Sequence, residues 1–299
     1  CGNRPKALSS GRLKRGEVVG GRFEVRSLSG SGAMGVVWRA LDRHCGESVA
    51  RKLLRPGADS ERFLRESHLL AELDHPGIVR YVAHGNSDEG PYLVMEWLEG
   101  ESLAQRLERA ELTPAQAVGM VAHLASAIGA AHRRQIVHRD LKPSNVFLVG
   151  RALDDVRVLD FGIARQGAFG ESELTQTGVI VGSPRYMSPE QARGSKNIGP
   201  AADVWALGAI LFRCVTGQPL LADGPMELVL SDLLMSPVPR VADRRSDVPP
   251  ALDDLVARLL SKEPEDRPRD GDAVARALHE LDLGDTLDAP GPASHRDVA

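Results

Sequence analysis

The sequence has few cysteines, no long apolar run and no surplus of positive charge. Its three cysteines, Cys1, Cys45 and Cys214, are spread over 299 residues. An odd, widely spaced set does not make a disulfide framework, so a reducing, cytoplasmic compartment is expected. No apolar run approaches the ~18 residues that a bilayer requires, and no membrane span is expected in this chain. The formal net charge is −4, so no global basic field points to nucleic acid. Signal-peptide architecture is absent, and no internal repeat stands out. The chain opens on Cys1 and reads as a processed chain or a piece of something longer. Cys1-Gly2 has the form of the end of a zinc knuckle, but one thiolate does not support a zinc site.

The bulk composition is that of a globular chain, with 42% apolar and 26% charged residues. The length suffices for one large domain or for two lobes with sizeable cores. Residues 1–16 carry Arg4, Lys6, Arg12, Lys14 and Arg15 with no acid before Glu17, the pattern of a solvated tail. Strand-like alternation starts at Phe23-Glu24-Val25, breaks at a glycine-rich turn, and resumes at Val36-Val37-Trp38. Within the turn, Gly30, Gly32 and Gly35 have the spacing G-x-G-x-x-G. Glycine lets the backbone come close to phosphates and offer N–H groups to them. A dinucleotide fold would continue into a helix. Here β-branched residues follow, and a helical stripe appears only from about residue 60.

That stripe, Phe63, Leu64, Leu69, Leu70 and Leu73, predicts a helix over 60–73. Glu61, Glu66 and Glu72 are its carboxylates, and Glu66 is spaced for an i,i+4 pair with Arg62. Before it, Val49-Ala50-Arg51-Lys52 lies on a strand-like run. After it, Tyr92–Leu98 reads as a buried strand leaving into a loop. Thr113-Pro114 has the form of an N-cap and first helical position, opening a helix to about Arg134. Val146–Leu148 and Val156–Leu159 read as a small hairpin. Asp203–Phe212 is apolar nearly all round, so it should be a buried central helix, ended by Gly217. Helical stretches follow at about 250–261 and 271–282, and residues 284–299 read as a linker or disordered tail.

The chemistry concentrates in His138–Asn145, which reads His-Arg-Asp-Leu-Lys-Pro-Ser-Asn. Asp140 is able to accept a proton from an attacking hydroxyl. Lys142 is able to neutralise charge on a transferring phosphoryl group. Asn145 offers an amide oxygen, a hard ligand suited to Mg²⁺. Fifteen residues later comes Asp160-Phe161-Gly162, and then Gly182-Ser-Pro-Arg-Tyr-Met-Ser-Pro-Glu190. Any one of these strings occurs by chance; their order is the specific signal.

In that order they resemble the eukaryotic-like, Hanks-type serine/threonine protein kinases, and are most similar to the bacterial branch. The resemblance covers about residues 22–282. It implies an α+β, bilobal protein kinase fold: a small five-stranded sheet with one helix over 22–98 and a larger, mainly helical lobe over 99–282. Residues 1–21 are then a basic flexible tail or linker and 283–299 a disordered tail or linker. It implies that Gly30, Gly32, Gly35, Val37 and Ala50 cover ATP in the cleft between the lobes, and that Lys52 touches the α- and β-phosphates. Among the three glutamates of the helix it selects Glu66 as the ion-pair partner of Lys52. Met95 becomes the gatekeeper. The backbone of Glu96 and Leu98 meets the adenine edge, and Phe147 lies beneath the ring. Asn145 and Asp160 hold the metal, Mg²⁺ or Mn²⁺ in its place.

The remaining roles implied are structural or regulatory. His138 stacks under Phe161, and Asp203 bonds the backbone of the His-Arg-Asp turn. Glu190 pairs with Arg267. Ser183 stands where a threonine usually bridges the aspartate and lysine, and Ser188 replaces the alanine of Ala-Pro-Glu. Arg139 beside Asp140 marks kinases switched by phosphorylation, with Thr175 and Thr177 as acceptors in the activation segment. Lys142 two residues after Asp140 is the serine/threonine feature. Protein substrates bearing Ser or Thr are implied, with a transient homodimer for trans-autophosphorylation. A pseudokinase that binds nucleotide without catalysis is the alternative, and it usually lacks a lysine or aspartate that is present here. A small-molecule kinase lacks the Ser-Pro-Glu platform.

Overall fold

The structure is a computed structural model that describes residues 13–32, 35–54, 67, 71–161 and 184–282. The chain divides into two compact units, Cys1–Glu72 with Arg80–Leu98, and Leu73–Val79 with Glu99–Ala299.

The first unit is built on one sheet. Its strands are β1 (Val18–Val19), β2 (Phe23–Gly32), β3 (Gly35–Asp42), β4 (Ser48–Leu54), β5 (Tyr81–Ser87) and β6 (Gly90–Glu96), in the order β1-β2-β3-β4-β6-β5. The resemblance implies five strands; the sixth is β1. Two valines have no period to read, and they become a strand only by pairing Val18 with Glu24 and Val19 with Phe23. The flexible tail expected over 1–21 is likewise ordered from Leu13 onward. Gly16 N–H bonds Val25 O and Val25 N–H bonds Glu17 O, both at 2.8 Å. Leu13 and Val19 join Phe23, Val25, Tyr92 and Val94 in the core on one face of the sheet. Of the helix predicted over 60–73, Ser67 and residues 71–73 are described; Ser67 and Ala71 are helical, while Glu72 is a turn and Leu73 is not helical, so the predicted span runs past the helix end.

Alternation along β4 separates two chemistries. Val49 and Arg51 point to the core face, where Arg51 is fully buried with its guanidinium 4.5 Å from the Tyr92 ring. Ala50 and Lys52 point to the opposite face.

The second unit holds a small antiparallel sheet of β7 (Gly100–Ser102), β8 (Val146–Val149) and β9 (Val156–Val158). Its helices are α1 (Leu103–Arg109), α2 (Pro114–Arg133), α3 (Pro189–Ala192), α4 (Pro200–Thr216), α5 (Met226–Met235), α6 (Pro250–Leu259) and α7 (Gly271–His279). α2 starts where the sequence predicts, with a reciprocal capping box between Thr113 and Gln116. α4 has thirteen buried residues among its seventeen and ends at Gly217, whose φ of 70° is left-handed. The segment 73–79 belongs here because Val158 N–H bonds Gly77 O at 2.8 Å and Val79 N–H bonds Val158 O at 3.1 Å. No helix among the described residues is long and apolar enough to cross a membrane.

Candidate active site

The loop that follows α2 is hung from one carboxylate. Asp203, in the first turn of α4, is 1% exposed. Its Oδ2 accepts from the backbone N–H of His138 at 2.7 Å and its Oδ1 from that of Arg139 at 2.8 Å. A third donor, His132 Nε2, reaches Oδ2 at 2.9 Å. Gly271 N–H donates to Nδ1 of the same imidazole at 3.1 Å, so the ring hydrogen is on Nε2. Burial pushes the Asp203 carboxyl up, but these donors outweigh it and hold the group below the usual carboxylate range. The sequence reading does not single out His132. Its one signal is position, four residues after Ile128 on the buried face of α2.

Below this anchor the chemical side chains converge. Asp140 is 8% exposed. Its Oδ2 accepts from Lys142 Nζ at 2.9 Å and from Asn145 Nδ2 at 3.3 Å. Asn145 Nδ2 also donates to Asp140 O at 2.8 Å, which turns its amide oxygen the other way. Leu159 N–H bonds Asn145 O at 2.8 Å, so Asp160 stands next to Asn145. The Asn145 amide and the Asp160 carboxylate both carry hard oxygens, a donor type that fits a divalent cation completed by phosphate oxygens and water. No three His, Cys, Asp or Glu side chains among the described residues converge on a metal position.

His138 is a post in this arrangement. It is fully buried, with its ring 4.8 Å from that of Phe161. Nε2 donates to Leu159 O at 2.9 Å and Nδ1 accepts from Asp140 N–H at 3.3 Å. Both nitrogens are committed to backbone, and neither remains for proton transfer. Two non-glycine residues here have left-handed backbones, Arg139 at φ 63° and Asp160 at φ 48°. Such residues cost roughly 1 kcal/mol or more and persist where the surroundings over-determine them. Arg139 is gripped by Asp203, by Gln191 Nε2 on its carbonyl at 2.8 Å, and by Ile198 O on its Nη2 at 3.3 Å. Its Nε is buried without a hydrogen-bond partner among the described residues.

Glu190 takes two bonds from Arg267, at 2.9 and 3.0 Å. Arg267 also donates to the carbonyls of Ser261, Ala201 and Lys262. Burial raises the Glu190 carboxyl, and the guanidinium more than reverses this.

In the first unit, Gly30, Val37, Lys52 and Leu93 form one cross-strand row. Ala50 pairs with Met95 one step along the same face. Gly32 and Gly35 pair at the mouth of the β2–β3 hairpin. Lys52 and Met95 are buried. Glu96 closes β6 with its N–H on Arg80 O at 2.9 Å, and Leu98 is the unit's last residue. Phe147 lies in β8, between Ser102 and Arg157. Glu66, Thr175, Thr177 and Ser183 lie outside the described residues.

The protein kinase domain family matches residues 23–279. The chain belongs to this family. It is 38% identical over 274 residues to serine/threonine-protein kinase pkn2 of Myxococcus xanthus, covering 87% of this chain and 32% of that protein. It is 33% identical over 280 residues to serine/threonine-protein kinase PknB of Mycolicibacterium smegmatis, covering 90% of this chain and 44% of that protein. The chain therefore spans less than half the length of these curated relatives. The crystal structure of the Mycobacterium tuberculosis PknI kinase domain superposes with a TM-score of 0.72 at 27% identity, covering 90% of this chain and 99% of that one. These are Hanks-type kinases of bacteria, and the sheet unit and helical unit are the two parts of their α+β fold. Protein kinases use ATP and a divalent metal and act on protein substrates.

Proposed function

We propose that this chain is the catalytic domain of a serine/threonine protein kinase. It transfers the γ-phosphoryl group of Mg-ATP to Ser or Thr hydroxyls of proteins. The observation that carries the reading is the convergence of Lys142 Nζ and Asn145 Nδ2 on Asp140 Oδ2, with Leu159, the residue before Asp160, bonded to the Asn145 carbonyl.

Asp140 orients the acceptor hydroxyl and takes its proton as the oxygen–phosphorus bond forms and the bond to the ADP oxygen breaks. Lys142 stabilises the charge on the transferring oxygens. Lys52 positions the α- and β-phosphates, with Glu66 as its orienting partner. Asn145 and Asp160 would hold the metal, Mg²⁺ by the hardness of their oxygens, and that ion supplies charge neutralisation at the β- and γ-phosphates when bound. Gly30, Gly32, Gly35, Val37, Ala50, Met95, Glu96, Leu98 and Phe147 form the nucleotide's surroundings. Positioning and electrostatics carry the rate, because phosphoryl transfer asks little covalent chemistry of the protein.

Arg139 supports a regulatory part of this reading. A half-buried guanidinium whose Nε has no hydrogen-bond partner among the described residues suits a phosphate oxygen. Thr175 and Thr177 are the acceptors, modified in trans within a transient homodimer. Ser183 has the hydroxyl for the bridge between Asp140 and Lys142 that a threonine usually makes. The domain works in the cytoplasm and needs no nucleic acid.

Incubation of purified protein with Mg-ATP and a protein substrate tests the reading. Phosphate is expected on the substrate and on the chain itself. Asp140→Asn should lower the rate at least about a hundredfold while leaving the fold intact. A wild type no faster than that variant would overturn it.

A further inference from the structure

β6 ends at Glu96, and two more residues of the first unit follow it, Trp97 and Leu98. Strand pairing with β4 stops where Val49 stands opposite Glu96, so the ladder does not continue to them. Glu96 itself is fixed from the β5 side. Its N–H donates to Arg80 O at 2.9 Å, and its Oε1 accepts from the Arg80 N–H at 2.8 Å. One further step of the β4 register would set Ser48 opposite Trp97. A side chain from β3 stands in place of that rung.

Arg39 lies in the row Arg39–Ala50–Met95, on the face of the sheet that also carries Val37 and Lys52. Its Nε and Nη2 donate to Ser48 Oγ at 3.4 and 3.2 Å. Its guanidinium carbon lies 5.0 Å from the centroid of the Trp97 ring. One planar cation thus ties the start of β4 to the first residue beyond β6. Arginine suits both contacts, because its fork of donors reaches the hydroxyl while its flat face covers the indole. All three residues are half-buried, which makes such a contact stronger than one in open water.

We propose that Arg39 is a positioning residue for the nucleotide base: it clamps Trp97 and so presets the backbone of Glu96–Leu98. The inference rests on the kinase reading, in which the backbone of Glu96 and Leu98 meets the adenine edge. A segment already held in its binding conformation has less freedom to lose when the base arrives, and this favours binding. Fixed geometry also sharpens selectivity. Adenine offers an amino donor and a ring-nitrogen acceptor on that edge, where guanine offers an oxygen acceptor and an N–H donor. A backbone that does not shift to suit guanine leaves polar groups unpaired and rejects it. A backbone released from the clamp discriminates less.

The test measures binding of Mg-ATP and Mg-GTP to the purified chain by isothermal titration calorimetry. Arg39→Met should weaken ATP binding by about threefold to tenfold and GTP binding by less, so that the preference for ATP narrows. Arg39→Lys should recover part of the loss. In a Trp97→Leu background, Arg39→Met should change the ATP Kd by less than about twofold, since the ring it clamps is gone. In phosphorylation assays the change should appear in the KM for ATP, with kcat at saturating ATP within about twofold of wild type. Partial misfolding lowers the fraction of chains that bind and leaves Kd as it was, so it does not mimic the result. An ATP Kd or an ATP preference unchanged in Arg39→Met, or a loss as large in the Trp97→Leu background, overturns the positioning role while leaving the kinase reading standing. A wild type that binds neither nucleotide and phosphorylates nothing above the Asp140→Asn control overturns both.

Discussion

At the scale of single residues, Asp203 does the most with two oxygens. It satisfies two consecutive backbone N–H groups and one imidazole, all buried. Asparagine in its place keeps one acceptor and turns an NH₂ toward a donor. Asp203→Asn should therefore destabilise the chain by about 2–4 kcal/mol in urea unfolding and lower kcat more than it raises the KM for ATP. Asp42 gives the clearest acid dependence. The bond from Arg22 outweighs burial and holds its carboxyl down at about 2. A group with a depressed folded pKa contributes stability that is complete above its unfolded value and lost as the pH falls through the folded one. Here the loss runs from about pH 4 to about pH 2. Thermal melts across that window should fall less steeply for Asp42→Asn than for wild type; parallel curves would show that the pair contributes nothing. Arg22 is 32% exposed, so solvent screens part of the effect.

At the scale of elements, legibility follows length and punctuation. α2 and α4 are read from the sequence because each carries a long apolar pattern and a chemical terminus, Thr113-Pro114 for one and Gly217 for the other. Gly217 has a left-handed φ of 70°, and a Cβ there would also sit 3.2 Å from Glu111 Oε1. Gly217→Ala should cost about 1 kcal/mol or more in chemical denaturation, with phosphoryl transfer little changed at low temperature. Elements without such marks escape. α1 has seven residues, too few for a periodicity to show. α5 buries Val229 and Leu233 yet exposes Leu228 and Met235, so its apolar residues do not mark one face. β1 exists through its partner alone.

At the scale of the whole molecule, contacts between distant segments hold the helical unit together. Glu190 and Arg267 are 77 residues apart, and their pair is buried on both sides. Arg267→Met removes one partner and strands a carboxylate, which should cost about 3–5 kcal/mol in equilibrium unfolding. Replacing both partners with apolar residues of similar volume should recover much of that loss. A double variant no more stable than the single would show that the carbonyl bonds and the stacking of Arg267 on Trp205 matter more than the ion pair.

The sequence by itself determined the order of the chemical groups. Glycines, Lys52, Asp140, Asn145 and Asp160 stand where they do because each supplies an atom type that phosphate, metal or hydroxyl requires, and short-range spacing is written in the chain. Placing Asp203 against the loop, and Glu190 against Arg267, was open to sequence reading only through the family resemblance. The tertiary structure alone decided the rest: that His132, 71 residues from Asp203, completes its hydrogen bonds; that both nitrogens of His138 are used up by backbone; and that Val18 and Val19 add a strand to the sheet. Each depends on how packed helices and strands bring remote positions within a few ångströms, and no local periodicity carries that information.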